Sequence, residues 1–308
     1  MRARYVRMET QHQAPTVELA IDCQATIGES PTWFAPERSL YWIDVRAPAL
    51  YRLGADGARA QWRFEADIGA FALLEGGEGA VVALRNGLFR LDFATGETRL
   101  LAPPPFDPQR FRFNEGLCDS EGRFWIGVMF DPLPGVAARP ATAPMHRFTL
   151  GEGLIPGDDR SDLHNGFALS AGEDSFLLSH SHDRAILRAP YDRVLGRLGR
   201  ARPFAEIGVA GHVPDGAAID EEGCYWCAIH GGGVLRRYAP DGRLLARVRL
   251  PVSQPTMCAF AGPALQEMVV TSAREKLTPE QLEQEPHAGA VFRFCPGVRG
   301  LPRSCVVR

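Results

Sequence analysis

The sequence contains little of what several large protein classes need. Lys276 is the only lysine among 34 basic residues, so Schiff-base or lysine-nucleophile chemistry is not expected. The net charge of −3, from 34 basic and 37 acidic residues, argues against a surface for nucleic acid or anionic membrane. No apolar run approaches the roughly 18 residues of a membrane span. The charged first 15 residues lack the apolar core of a secretory signal, so we expect a cytoplasmic protein.

The common catalytic fingerprints are also absent. The chain has no Gly-x-Ser-x-Gly elbow, no P-loop and no dinucleotide fingerprint. Its seven cysteines are an odd number and are widely spread, which favours reduced thiols over a disulfide framework. Cys224 and Cys227 form a C-x-x-C on a predicted strand, where a separation of three puts them on opposite faces. We therefore interpret them as buried small apolar residues.

What the sequence does contain is a repeat of strand pairs about 40 to 50 residues apart, each introduced by a turn signal. The first strands of the pairs are LYWIDV (40–45), AVVAL (80–84), RFWIGVM (123–129), SFLLSHS (175–181), CYWCAI (224–229) and EMVVTSA (267–273). A period in this range built from antiparallel strands is typical of a β-propeller. The sequence therefore predicts an all-β, six-bladed β-propeller that forms a single domain over residues 16–308, after a flexible tail at 1–15.

Three further features complete the predicted architecture. The segment TVELAID (16–22) is expected to pair with the last blade and close the ring, which removes an exposed edge. A short helix is predicted at TPEQLEQ (278–284), where threonine is the N-cap and proline the first helical residue. The Pro/Ala-rich stretch 131–144 is either a lid or a variable surface loop.

Four polar residues occupy one position of the repeat. Aligning the units on their turns places Glu29, Asn114, Asn165 and Asp215 at equivalent positions. Equivalent positions in a radial array point to the same place relative to the axis. We therefore expect these side chains to meet near one end of the central channel.

Convergence of two carboxylates in a partly buried place is unfavourable unless a cation neutralises them. Oxygen ligands select hard divalent ions such as Ca²⁺, Mg²⁺ or Mn²⁺, and Zn²⁺ also accepts carboxylates. The alternative is that these Asn and Asp residues only shape turns between strands, as they commonly do. Glu29 weakens that alternative, because glutamate is a poor turn residue. The spacing thus leaves a metal site and a turn role open.

The motifs that carry this pattern resemble those of the gluconolactonase/regucalcin (senescence marker protein, LRE-like) family of six-bladed propellers. The resemblance runs from Ile27-Gly-Glu-Ser-Pro-Thr-Trp to Gly297-Val-Arg-Gly-Leu-Pro. Its most specific pieces are Arg112-Phe-Asn-Glu-Gly, Asn165-Gly-Phe and Pro214-Asp-Gly. It implies that one divalent ion binds to Glu29, Asn165 and Asp215, that Arg112 and Asn114 contact substrate hydroxyls, and that the reaction is hydrolysis of a sugar lactone.

The chain departs from the family pattern at two places. Glu115 stands where the family often has aspartate, and only Asp131 remains of an acidic pair of which one member touches the sugar. We keep Asp131 as a candidate substrate-binding residue.

The hypothesis from the sequence is a metal-dependent aldonolactone hydrolase in which Asp215 is both ligand and general base. Its substrate would be a small sugar lactone, and the protein a monomer or weak homo-oligomer. The alternative is a non-catalytic propeller that binds calcium or a partner. His180 and His182, two apart on a predicted strand, are expected on one face, as a structural pair or as metal or proton-transfer groups. His212 and His230 are candidate neighbours of the site.

Overall fold

The computed structural model describes residues 15–304 and Val306, and it shows six antiparallel sheets arranged as a six-bladed propeller. The residues of the predicted tail up to 14 lie outside the described residues. Each sheet has its own consecutive strands, except for the last, which combines strands from both ends of the described chain. The predicted fold class is therefore confirmed.

The first three blades follow the chain without interruption, and the innermost strand of each comes first. Their strands are β2 (Gly28–Phe34), β3 (Ser39–Asp44), β4 (Ala49–Gly54) and β5 (Arg59–Arg63); β6 (Ile68–Leu73), β7 (Gly79–Leu84), β8 (Gly87–Asp92) and β9 (Thr98–Ala102); and β10 (Phe111–Cys118), β11 (Phe124–Phe130), β12 (Ala143–Thr149) and β13 (Gly153–Ser161). A 3₁₀ turn, Ala35–Glu37, joins β2 to β3.

The remaining blades repeat this order, with two short outer strands in the fourth. Their strands are β14 (His164–Leu169), β15 (Ser175–His180), β16 (Ala185–Asp192), β17 (Arg197–Leu198) and β18 (Arg202–Glu206); β19 (Val213–Ile219), β20 (Tyr225–His230), β21 (Val234–Tyr238) and β22 (Leu244–Arg249); and β23 (Pro255–Ala261), β24 (Glu267–Ser272) and β25 (Val291–Phe294), with β1 (Glu18–Ile21) outside β25. The helix α1 (Pro279–Gln284) precedes β25.

Ring closure occurs in the sixth blade. Strand β1 pairs antiparallel with β25, so that Glu18 lies opposite Arg293 and Leu19 opposite Phe292. This confirms the expected pairing of the segment 16–22 with the last blade. The helix α1 is confirmed as well, since Thr278 accepts a hydrogen bond from the backbone of Gln281 and completes a capping box.

The apolar core lies between adjacent blades. Blades 2 and 3 share one cluster, in which Val81 and Leu88 pack with Phe113 and Phe124. Alternation along each strand sends one set of side chains to each neighbouring blade, so both faces of a sheet are covered. Within the described ranges, no helix is long and apolar enough to cross a membrane.

A C-terminal strap crosses the channel at the end where the innermost strands finish. It comprises the described residues from Gly300 to Val306. Gly300 forms a bridge with Asp220 of blade 5, and Val306, which is fully buried, forms one with Leu74 of blade 2. The strap therefore fixes two opposite blades to each other and brings Arg303 beneath the channel.

Candidate active site

A β-bulge interrupts the innermost strand of every blade at the same level. The register between the first and second strands shifts after Glu29 in blade 1, after Asn114 in blade 3 and after Asn165 in blade 4. Blades 2, 5 and 6 shift at the equivalent places. A bulge re-aims side chains away from simple alternation. The repeat position found in the sequence is thus the position at which each inner strand bends.

The residue after the candidate ligand takes a left-handed conformation in three of these bulges. Ser30, Glu115 and Gly166 have φ values of 53°, 44° and 67°. Glycine adopts this conformation at little cost, whereas serine and glutamate do so only when their surroundings impose it. The bends are therefore part of the folded innermost strands and do not come from a flexible loop.

A hydrogen-bond relay joins the polar side chains of blades 3, 4 and 5. Arg112 Nη1 donates to Asn114 Oδ1 at 2.6 Å, and Asn114 Nδ2 donates to Asn165 Oδ1 at 2.7 Å. Asn165 Nδ2 donates to Ser181 Oγ at 2.9 Å, and that hydroxyl donates to the carbonyl of Pro214 at 2.7 Å. Because a guanidinium can only donate, the relay sets the orientation of both amides. The oxygen of Asn165 is held on the side of Asn114, away from Ser181.

Arg112 is a buried anchor of this relay. Its Nε donates to Asp131 at 3.0 Å, and Nη1 donates both to Asn114 and to the carbonyl of Phe113. Nη2 contacts the sulfur of Met129 at 3.0 Å. These contacts occupy four of the five N–H groups of a guanidinium. In the described part of the chain, one N–H of Nη2 is left for another partner.

Three carboxylates converge with too little positive charge to neutralise them. Burial raises the pKa of Glu29 to about 7. Burial and then the charge of Glu29 raise the pKa of Glu115 to about 8. Burial, Glu29 and Glu115 together hold the pKa of Asp215 well above its usual range. Arg112 and Arg303 oppose these shifts at Glu29. Because these carboxylates raise one another's pKa, Glu29, Glu115 and Asp215 lie in one region. The equivalent repeat positions predict this for Glu29 and Asp215.

Glu115 belongs to this site although strict alternation along β10 would turn it away from Asn114. The bulge and the left-handed conformation bring it in, and it accepts hydrogen bonds from the backbone nitrogens of Gly166 at 2.5 Å and Phe167 at 2.7 Å. It is 3% exposed. Sequence reasoning noted it only as a departure from the family pattern. The feature of the sequence that could have indicated its place in the site is its position directly after Asn114.

Arg303 supplies positive charge from the opposite end of the channel. It lines a cavity of about 200 Å³ together with residues at the ends of the innermost strands, such as Cys118, Ala168 and Ile219. It donates to Thr32 Oγ1 at 3.0 Å. Burial lowers the pKa of Arg303, and Glu115 is the largest influence that opposes this lowering. Nothing in the sequence repeat indicated that residue 303 would face the site.

Asp131 lies beside the relay but serves as the centre of an arginine cluster. Its carboxylate contacts Arg85 Nη2 at 2.5 Å, Arg112 Nε at 3.0 Å and Arg46 Nη2 at 3.0 Å. Burial acts against ionisation, yet these three cations hold its pKa down to about 2. Asp67 binds Arg46 and Arg85 from the other side. Through Arg112, Asp131 fixes the Arg112 end of the relay.

The expectation that His180 and His182 share a strand face is wrong. Strand β15 ends at His180, and a turn begins at Ser181, so His182 leaves the sheet and contacts Asp162 at 2.9 Å. β15 is also the second strand of its blade, so His180 does not line the channel. The residue opposite His180 is His164 on β14.

The other two candidate histidines flank the start of blade 5. His212 is half-buried on the loop before β19, and His230 ends β20 opposite Val213. Burial lowers the pKa of His230. Neither shows a side-chain hydrogen bond to the carboxylates among the described contacts.

The two cysteines of the C-x-x-C motif are buried. Cys227 is buried on β20, while Cys224 is buried just before that strand, and both are free thiols. This confirms their interpretation as small apolar residues.

The loop spans 131–142, because its predicted last residues, Ala143 and Pro144, begin β12. Its first part is tied to the site-bearing blade by Asp131 N donating to the carbonyl of Arg110.

The donor set fits one divalent cation. Glu29 accepts a single backbone hydrogen bond, from Ser30 at 2.9 Å, although a buried carboxylate offers about four lone pairs. Asn165 presents an oriented amide oxygen, and Asp215 adds a second carboxylate. Oxygen-only ligands of this kind suit Ca²⁺, Mg²⁺ or Mn²⁺. Burial raises the pKa of both Glu29 and Asp215, and the charge of a divalent cation would favour their ionised forms.

Comparison with known proteins identifies relatives of this arrangement. The family model described as "SMP-30/Gluconolactonase/LRE-like region" matches residues 27–274. A 6-deoxy-6-sulfogluconolactonase of Pseudomonas putida is 34% identical over 92% of this chain and 96% of its own, and an L-arabinolactonase of Azospirillum brasilense is 32% identical over 92% and 93%. A crystal structure of regucalcin from Agrobacterium tumefaciens, described as a calcium-binding protein, superposes with a TM-score of 0.85 at 26% identity, over 96% of this chain and 97% of that one.

Proposed function

The chain belongs to the SMP-30/Gluconolactonase/LRE-like family, and we propose that it is a metal-dependent hydrolase that opens a sugar lactone to the aldonic acid. The observation that carries the proposal is the meeting of Glu29, Asn165 and Asp215 at the bulges of three innermost strands, beside the Arg112–Asn114 relay. This arrangement supports a proposal in which candidate metal ligands and candidate hydroxyl-binding groups act on the same substrate.

The metal would be held by Glu29, Asn165 and Asp215. A divalent ion bound there would act as a Lewis acid on the lactone carbonyl and make a bound water more acidic. The oxygen-only ligand set and the description of the Agrobacterium regucalcin favour Ca²⁺, with Mg²⁺, Mn²⁺ and Zn²⁺ as the competing ions.

Asp215 is the proposed general base. It would take a proton from the attacking water while the water oxygen bonds to the carbonyl carbon. The ring C–O bond then breaks, and the proton passes from Asp215 to the departing ring oxygen. A buried carboxylate whose pKa lies above its usual range is a stronger base than a solvated one, provided that it is ionised. The charge of a bound ion favours that ionised form.

Arg112 and Asn114 are the proposed substrate-orienting residues. The remaining N–H of Arg112 Nη2 is a fixed donor, because its guanidinium is held by Asp131 and Asn114. A donor whose position is fixed before binding orients a sugar hydroxyl at a smaller entropic cost. Asp131 takes part in substrate binding through this guanidinium.

The names of the relatives suggest the substrate class. Both curated lactonases cover almost the whole chain, and their names specify lactones of a hexose derivative and of a pentose. We therefore propose a monomeric sugar lactone as the substrate, and a panel of five- and six-membered aldonolactones should define the ring.

A calcium-binding role without catalysis is the alternative, and the description of the Agrobacterium structure supports it. Binding alone would not need a guanidinium such as that of Arg112, which is fixed by Asp131 and Asn114 and keeps one N–H available. Hydrolysis of the lactone panel separates the two roles.

The test is pH-indicator hydrolysis on protein stripped of metal, with single ions added back. We expect no turnover in stripped protein, recovery with one divalent ion, and a lower apparent ion affinity in Glu29→Gln. Full turnover in exhaustively stripped protein would contradict metal dependence. Binding of the ion without turnover of any lactone would favour the calcium-binding role.

A further inference from the structure

A second cluster of metal-binding groups lies between blades 3 and 4, apart from the carboxylate site. Asp159 Oδ2 is 3.2 Å from His164 Nε2 and 2.8 Å from His180 Nε2. The three ligand atoms lie within 4.8 Å of one another. We propose that Asp159, His164 and His180 form a binding site for Zn²⁺ that clamps the two blades together.

The fold brings these residues together from three strands. His164 on β14 and His180 on β15 are directly opposite each other, with ring centroids 5.7 Å apart and planes at 86°. Asp159 comes from β13, the outermost strand of the preceding blade. An ion at this place would bond to both blades at once and would hold all three side chains together.

The two distances from Asp159 to the histidine nitrogens are close to those of a zinc site. Zn–N and Zn–O bonds of about 2.0 to 2.2 Å in tetrahedral geometry place ligand atoms about 3.3 Å apart. The observed 3.2 Å needs almost no adjustment, and the 2.8 Å contact needs about half an ångström. Such a movement is well within side-chain rotation.

Two imidazoles and one carboxylate select a different ion from the central site. Imidazole nitrogen suits Zn²⁺ and its transition-metal neighbours, whereas Ca²⁺ and Mg²⁺ prefer oxygen. The protein would thus hold two ions on chemically different sets of ligands.

The surroundings of the cluster are those of a partly open site. His164 is fully buried, and its Nδ1 lies 3.4 Å from the backbone of Val128, which leaves Nε2 facing Asp159. Side chains of His180 and Asp159 are 15% and 16% exposed. Asp159 also lines a solvent-open groove of about 500 Å³, which provides an entry path. Asp183, 3.8 Å from His180 Nδ1, can orient the ring as outer carboxylates commonly do.

A third imidazole lies within electrostatic range of the cluster. His146 on β12 is 3% exposed, and its Nδ1 has no hydrogen-bond partner among the described residues. Burial, and then the charge of His164, lower its pKa to about 4. It therefore remains neutral, as a nitrogen ligand must be, within electrostatic range of His164.

The competing explanation is a hydrogen-bonded His–Asp–His network without an ion. The network and the metal site use the same atoms, so only metal binding separates them. The proposal does not depend on lactone hydrolysis.

The test is zinc titration of metal-stripped protein in the Glu29→Gln background with excess Ca²⁺, which keeps zinc from the central carboxylates. We expect one equivalent of Zn²⁺ by calorimetry, and visible absorption bands when Co²⁺ replaces it. Adding His180→Ala or Asp159→Asn should weaken binding by at least about tenfold. Both residues are partly exposed, so these variants should fold, and circular dichroism would confirm it. His182→Ala is the matched control, because that exposed histidine lies two residues away and binds Asp162.

Loss with His180→Ala and retention with His182→Ala support the proposal. Absence of zinc in the Glu29→Gln background overturns it, as does zinc that survives His180→Ala. Equal loss in both histidine variants would place the ion at the turn after β15 and would also overturn it.

Discussion

Asn114 and Asn165 are joined across two blades by one hydrogen bond, from Nδ2 of the first to Oδ1 of the second, at 2.7 Å. The acceptor is the oxygen proposed to bind the ion, and Ser181 holds the other end of the same amide at 2.9 Å. Blade 3 thus helps to orient the candidate ligand Asn165 on blade 4.

Replacing Asn114 with alanine should therefore weaken the ion as well as the substrate. The Asn165 oxygen loses its donor, and Arg112 loses an acceptor. We expect ion affinity to fall roughly 10- to 100-fold, as outer-sphere changes typically do, with a rise in KM at saturating ion. Calorimetry and lactone kinetics measure the two effects.

Ser181→Ala is the matched comparison, because it releases Asn165 from the opposite side without touching Arg112. It should lower ion affinity while leaving KM near the original value. Unchanged ion affinity in both variants would show that the relay does not position the ligand.

The two roles of Asp215 can be separated by Asp215→Asn. The amide keeps an oxygen near the ion but removes the charge and the proton acceptor. Excess metal restores occupancy by mass action, whereas the missing base should still lower turnover by about 10² to 10⁴-fold. Turnover against added metal, with occupancy from elemental analysis, measures this.

The control is Asn165→Asp, which adds charge at a neighbouring ligand and keeps the base. If metal-saturated Asp215→Asn turns over lactone at the original rate, Asp215 is a ligand only.

Metal-stripped protein should become less stable as pH rises from about 5 to 8. Glu115 has a folded-state pKa of about 8 against an ordinary value of 4.5, so between these values the folded state binds more protons than the unfolded state. The free energy of unfolding then falls with pH. Burial shifts of this size amount to a few kcal/mol, at about 1.4 kcal/mol for each pKa unit.

Thermal melting of stripped protein at several pH values checks this slope. Glu115→Gln should flatten it, whereas Glu97→Gln, an exposed residue on the loop before β9, should not. Saturating metal should also flatten it, since the ion supplies the missing charge. A slope that persists in Glu115→Gln would assign the effect to another group.

Arg303→Met should destabilise metal-stripped protein more than metal-loaded protein. Its guanidinium is one of the cations that lower the pKa values of Glu29 and Glu115. A bound ion would lower them as well, so the guanidinium would matter less in metal-loaded protein. Removing one partner from a buried charge group costs about 3 to 5 kcal/mol. Melting temperatures with and without saturating metal give the difference.

Arg299→Met serves as the control, because its exposed side chain precedes the strap. Equal destabilisation of Arg303→Met in stripped and loaded protein would mean that Arg303 acts through packing alone.

The sequence was sufficient for features that repeat along the chain. Strand pairs at regular intervals predicted six blades, and their alignment brought Glu29, Asn165 and Asp215 to one position because radial repeats share a geometry. Closure by the segment 16–22 followed from the need to cover an edge.

Features that depend on a break in the regular pattern were not predictable. Alternation alone would turn Glu115 away from Asn114, and only the bulge brings both into the site. The residue opposite His180 is His164, which lies on the neighbouring strand β14 and is not close to His180 in sequence. Arg303 arrives through the strap, which belongs to no blade and follows no period.

The composite sixth blade imposes an order on biosynthesis. Strand β1 supplies one half of the closing pair, and its partner β25 is synthesised about 270 residues later. At 5 to 20 residues per second this is a delay of roughly 15 to 55 s. Five blades can form from neighbouring strands in that time. Strand β1 meanwhile has an unpaired edge, and Glu29 lies in a ring that is still open at one side. The candidate ligand Glu29 therefore becomes part of an enclosed site only after the ring has closed.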